Sequence, residues 1–154
     1  MNEIILEIQN LLRTTLGSTY KKYYFWEIKV PNQSYLPFLE IIPDTSRLSN
    51  RGTGGMMNNE FQIKINLKNT LKKYLKQDTN VETLEHVQDL VKKMEKRTNG
   101  NLDPDCIVWV LHNNLQLSNA DIVDNWEIAY DEIDLGESYI TLGTVTFTVK
   151  MLSN

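Results

Sequence analysis

Glu60-Phe61-Gln62-Ile63-Lys64-Ile65-Asn66-Leu67-Lys68 is the stretch whose reading decides the fold. Phe61, Ile63, Ile65 and Leu67 alternate with Glu60, Gln62, Lys64, Asn66 and Lys68. Successive strand side chains point to opposite faces, so this pattern predicts a strand with one apolar face and one polar, solvated face. One-sided strands of this kind belong to antiparallel sheets rather than to doubly covered parallel ones.

Upstream, Phe38-Leu39-Glu40-Ile41-Ile42 lies between Pro37 and Pro43 and reads as a second strand. Residues 43–59 have no apolar period and are rich in Gly, Ser, Asn and Asp, which predicts a long projecting loop. Loops longer than about 12–15 residues within a domain are uncommon and usually functional or disordered. The two strands should form a hairpin with this loop at its tip. Tyr24-Phe25-Trp26-Glu27-Ile28-Lys29-Val30 alternates in the same way and predicts a further strand, ended by Pro31.

The N-terminal segment has helical spacing. Ile4, Ile5, Ile8, Leu11, Leu12 and Leu16 fall on one face, and Gly17 supplies a stop. A second helix is expected from Thr79 to Arg97. Thr79-x-x-Glu82 matches a capping box; Leu84, Val87, Leu90, Val91 and Met94 form the stripe to be buried; Asn99-Gly100 ends it. The last third reads as β. Ile107–Leu111 is a continuous apolar run, expected as a strand covered on both faces. Trp126, Ile128 and Tyr130 alternate with polar residues. A long final strand runs from about Tyr139 to Leu152, with a change of parity at Gly143 that predicts a β-bulge there. The expected architecture is α+β: a mostly antiparallel sheet with one or two strand hairpins, backed by two amphipathic helices, in a single domain spanning residues 1–154.

The chain has 154 residues, 41% hydrophobic and 23% charged, with a formal net charge of −4. That length is enough for one core. An acidic balance argues against a general nucleic-acid binder. Apolar runs reach about six residues, against the roughly 20 of a membrane helix. With no basic, apolar leader pattern after Met1, the expectation is a soluble protein made in a cytoplasm. Cys106 is the single cysteine, which excludes an internal disulfide and a Cys-rich zinc site. Set in an apolar run, it reads as a buried inert thiol.

Residues that could carry chemistry are sparse. His86 falls on the second helix and His112 after the 107–111 run, and neither has a triad or metal-ligand pattern around it. Arg51-Gly52-Thr53-Gly54-Gly55 lacks the spacing of a phosphate-binding loop. Asp44 after one strand, with Glu60 or Gln62 and Lys64 on the next, is the nearest approach to the metal site of Pro-Asp…Asp/Glu-x-Lys nucleases. Its second carboxylate is missing or displaced. The expectation is therefore a non-enzyme without cofactor or metal. A Mg-dependent nuclease and a monomeric binding module using its Gly-rich loop are the alternatives.

Charge is segregated. Residues 64–76 carry Lys64, Lys68, Lys72, Lys73 and Lys76 without an acid. Residues 121–137 carry Asp121, Asp124, Glu127, Asp131, Glu132, Asp134 and Glu137 without a base. Two solvated faces explain this, and so do complementary surfaces that meet between subunits.

The whole order (amphipathic helix, hairpin with a Gly/Asn-rich loop, capped helix, then Trp126–Tyr130 and Tyr139–Val149) resembles the tail terminator (tail completion) and neck proteins of tailed bacteriophages. The resemblance is one of pattern over nearly the whole chain, without a diagnostic motif. It implies a structural virion protein, made in the host cytoplasm, that forms a hexameric ring. That ring would cap the tail tube and meet the head-completion or connector protein, with DNA passing through its lumen. It also implies that projecting loops contact neighbouring subunits. The candidate assembly residues are then Arg47, Arg51, Gly52, Gly54 and Gly55 in the loop. Charge segregation adds Lys68, Lys72 and Lys73 on one side and Asp131, Glu132 and Asp134 on the other.

Overall fold

The structure is a computed structural model and describes residues 2–29, 31–50, 57–73 and 80–152. In chain order the elements are α1 (Asn2–Leu16), β1 (Lys22–Tyr24), β2 (Phe38–Asn50), β3 (Met57–Lys73), α2 (Asn80–Glu95), β4 (Arg97–Thr98), β5 (Asn101–Leu102), α3 (Ile107–His112), β6 (Asp121–Ile122), β7 (Glu127–Asp134) and β8 (Ser138–Leu152). A six-stranded sheet runs β1-β2-β3-β8, and both β6 and β7 pair with β8 along different parts of its length. Among the described residues only β1–β2 is parallel; the other pairings are antiparallel. The α+β expectation holds, with three α-helices among the described residues rather than two.

The sheet has two unlike faces. Leu39 and Ile41 of β2 share a face with Leu67, Ile65 and Ile63 of β3, and with Gly143, Val145, Phe147 and Val149 of β8. These residues, with Ile4, Ile5, Ile8, Leu12 and Leu16 of α1, Leu90 and Met94 of α2, and most of α3, form the core. The opposite face carries Glu40, Lys64, Asn66, Lys68, Thr144 and Thr146. Period-two alternation thus sorts the strands as expected. Gly17, at φ +54°, ends α1 in the left-handed conformation that glycine adopts without strain.

Several expectations are corrected. The strand expected over 24–30 is only β1, ending at Tyr24, and Val30 lies outside the described residues. The backbone of Ile28, which a strand would pair with β2, is engaged by buried side chains instead. The loop expected over 43–59 is mostly strand: β2 continues to Asn50 and β3 begins at Met57, with a register shift between Pro43 and Thr45. Asp44 is the extra residue at that irregularity. Cross-strand pairing thus extends a hairpin whose local sequence lacks any apolar period. Arg51, Gly52, Gly54 and Gly55 lie outside the described residues.

Ile107–Leu111 is helical, not a strand. Ile107, Val108, Val110 and Leu111 are buried and only Trp109 is half-buried, so the segment is apolar all round because α1 and α2 pack against it. Helix α2 stops at Glu95. Asn99-Gly100 is not its cap but the turn of the β4–β5 hairpin, with φ of +52° and +82°. Positive φ at both central residues is the requirement of a tight two-residue hairpin. The expected cap Thr79 lies outside the described residues. Val87 of the expected buried stripe is 42% exposed, because it faces an open groove beside Tyr130 and Tyr139.

No bulge occurs at Gly143: β8 stays in register with β3 and β7 through it. The shift lies on β3, between Lys68 and Leu71. Gly143 serves a different purpose. A Cβ there would stand 2.8 Å from Met94 Cγ and 3.2 Å from Leu90 Cδ1, so a bare backbone is what lets α2 rest on β8. Gly143→Ala should therefore cost about 1–3 kcal/mol by overpacking, despite the lower backbone entropy of alanine in the unfolded chain. Chemical denaturation against the native protein checks this; unchanged stability would show that α2 can shift freely.

Candidate functional site

A buried, mutually bonded polar group lies on the face of the sheet away from the helices. Glu40 comes from β2, Asn66 and Lys68 from β3, and Thr144 from β8, held on one face by the cross-strand register. Glu40 is completely buried, Lys68 is 2% exposed and Asn66 5%. Lys68 Nζ lies 3.0 Å from Glu40 Oε2 and donates to the Ile28 carbonyl at 2.6 Å. Asn66 Nδ2 donates to Glu40 Oε1 at 3.1 Å, and Thr144 Oγ1 donates to Asn66 Oδ1 at 2.9 Å. The Ile28 amide donates to Glu40 Oε2. One ion pair thus secures both backbone groups of Ile28 and ties the 25–29 segment across three strands.

This arrangement removes Lys68 from the assembly candidates. It is neither solvated nor facing outward, because the segment after β1 covers that end of the polar face. The sequence holds a signal for it. Phe38, Glu40 and Ile42 share one parity and Leu39 and Ile41 the other, so both faces of β2 are apolar around Glu40. A carboxylate amid apolar neighbours on its own face needs a partner.

Lys72 is half-buried and Lys73 exposed. In register, Lys72 stands beside Tyr139 of β8, and Tyr139 beside Asp134 of β7. The C-terminal ends of β3 and β7 therefore lie two strand spacings apart, roughly 10 Å, in the same chain. Lys72 also helps to hold Asp89. Burial opposes ionisation of Asp89, yet the hydrogen bond from Asn69 at 2.8 Å and the Lys93 ammonium at 3.2 Å outweigh it, and its carboxyl titrates below the usual range. Asp131, Glu132 and Asp134 are all exposed on β7. Arg47 is in β2, and its side chain lies outside the described set.

The nuclease-like residues do not converge. Asp44 is exposed at the β2 irregularity, Glu60 pairs with Lys150 at 3.3 Å, and Lys64 sits between Ile42 and Thr146. Among the described residues no group of three or more His, Cys, Asp and Glu is placed to hold a metal ion. His86 Nδ1 lies 3.2 Å from the Tyr139 hydroxyl. His112 pairs with Asp124 at 3.0 Å, and the same carboxylate oxygen accepts from Trp126 Nε1 at 2.8 Å. The bond to His112 holds Asp124 below the ordinary carboxyl range. Cys106 is buried just before α3, where desolvation pushes its thiol up, as for an inert core cysteine.

The fold and these sites define an α+β protein with an open, one-sided sheet and a buried ion-pair clamp. In comparison with known proteins, the chain matches no protein-family model and no curated sequence.

Removing one member of the clamp leaves the other charged and buried. Glu40→Ala and Lys68→Ala should each cost about 3–5 kcal/mol of stability. The apolar double variant Glu40→Leu/Lys68→Met should cost clearly less than the sum of the two. Urea unfolding of all three checks this; additive losses would mean that the charges do not act as a pair.

Proposed function

We propose that this chain is a structural virion protein that forms a homo-oligomeric ring at the head–tail junction of a tailed bacteriophage. The ring, a hexamer by the family resemblance, caps the tail tube and joins it to the head-completion proteins. The observation that carries the reading is the open sheet: helices cover one face, while β7 and most of β2 are edges with no strand beyond them among the described residues. Exposed edges of this length are association surfaces unless something covers them. The long β2–β3 hairpin, with arms of 13 and 17 residues, supplies a reaching element of the kind the resemblance implies. No helix among the described residues is long and apolar enough to cross a membrane.

Native mass spectrometry of the purified chain should give a closed oligomer, and labelled antibody should mark one ring per particle at the neck. A strict monomer both in solution at high concentration and on particles would overturn the reading. In the same preparation, duplex and single-stranded DNA with Mg²⁺ or Mn²⁺ should stay uncut. Cleavage abolished by Asp44→Ala and Lys64→Ala would favour the nuclease instead.

A further inference from the structure

The two lateral edges of the sheet are chemically opposite. At one end, β1 and the residues on either side of it present Lys21, Lys22 and Lys29, all exposed, with Glu27 the one acid among residues 21–29. Trp26 is 59% exposed there and Tyr35 38%. Lys22 Nζ lies over the Tyr35 ring at 4.9 Å, and Tyr24 meets the Trp26 ring edge-on at 5.9 Å. At the other end, β7 and the turn after it present Glu127, Asp131, Glu132 and Asp134, with Tyr130 37% exposed and Leu135 44%.

The basic, aromatic edge is also held rigidly. Ile28, two residues after Trp26, has its amide bound by Glu40 and its carbonyl by Lys68. An exposed tryptophan on a backbone anchored two residues away has little main-chain freedom left to lose on binding, which is the property of a binding anchor. Glu40 projects from the face of the sheet that also carries Asn66, Thr144, Glu127 and Asp131. If one sheet continues into the next, Trp26 and Lys29 come to the side on which Glu127 and Asp131 stand.

We propose that these two edges are the two halves of one interface. The β7 edge of each copy docks on the β1 edge of the next copy, with Trp26 as apolar anchor and Lys22 and Lys29 facing Glu127 and Asp131. The partner is a second copy of this chain because both complementary surfaces are on the chain itself. Two like edges meeting would set acid against acid or base against base. Opposite edges give a head-to-tail contact, which closes into a ring when the rotation permits. The inference rests on the ring reading and specifies it. It also moves the basic partner of the acidic segment from Lys68, Lys72 and Lys73 to the far side of the sheet.

The test uses two charge-reversed chains. Lys22→Glu/Lys29→Glu makes both edges acidic, and Glu127→Lys/Asp131→Lys makes basic the two positions of the β7 edge that would face Lys22 and Lys29. Each alone should sediment as a monomer at concentrations where the native chain is oligomeric, with an unchanged circular dichroism spectrum. Mixed one to one, they should recover the native oligomer, alternating around it. Trp26→Ala, an exposed position, should weaken association at least about 30-fold while leaving folding intact. Full assembly of either reversed chain alone, no recovery on mixing, or native association of Trp26→Ala would overturn the edge pairing, while an oligomeric native chain would still uphold the ring reading. A native chain that is monomeric in solution and on particles overturns both.

Discussion

The Glu40–Lys68 ion pair is the constraint around which the outer face of the sheet is arranged. Burying two charges costs several kcal/mol each, and their attraction repays this only when the remaining donors and acceptors are satisfied. Here they are satisfied by Asn66, by Thr144 through Asn66, and by both backbone groups of Ile28. That requirement explains why the 25–29 segment leaves the sheet after β1. The backbone partners of Ile28 are side chains, not a neighbouring strand. Lys68 Nζ also stands 5.9 Å from the Phe38 ring centre, and Phe38 meets Tyr24 edge-on, so the clamp is continuous with the aromatic cluster of the β1 edge.

The helical face obeys a different rule. Its interior is apolar, and its limit is how near the layers can approach. Gly143 marks a close approach, where Leu90 and Met94 of α2 rest on bare β8 backbone. Elsewhere α2 is less well covered: Val87 stays exposed beside Tyr130 and Tyr139. Burial pushes the Tyr130 phenol up and the nearby Glu95 carboxylate adds to it, so an aromatic ring at the sheet edge is bound to the last turn of α2. On the far side, Glu7 of α1 accepts from the Ser118 amide at 3.0 Å and so fixes the loop before β6. The proposed ring asks for a subunit of this kind: a sheet with one helix-covered face and two unlike edges.

Much of this was legible in the chain itself. The alternation of Phe61 to Leu67, the spacing of Ile4 to Leu16 and the parity of Val145, Phe147 and Val149 each name an element and its buried side. Local pattern carries that information because side-chain direction repeats with the backbone period. The Ile107–Leu111 run was not legible, since a segment buried on all sides has no polar face to reveal its period. Nor was the length of the hairpin: residues 44–50 and 57–59 have no apolar period and become strand through cross-strand bonding.

The candidate surface divides in the same way. Composition along the chain marks 121–137 as acidic and 64–76 as basic, and Asp131, Glu132 and Asp134 are exposed on β7. Which basic groups are available to a partner is a matter of burial and sheet order. Lys68 is taken by Glu40, 28 residues away in the chain, and Lys72 shares its end of the sheet with Asp134. By itself the sequence determined the elements with a clear period, their faces and the segregation of charge, because those follow from local periodicity and residue type. Only the tertiary structure decided which charges are neutralised inside and which edges face outward. Those depend on strand order and on pairings between residues far apart in the chain, which no local pattern encodes.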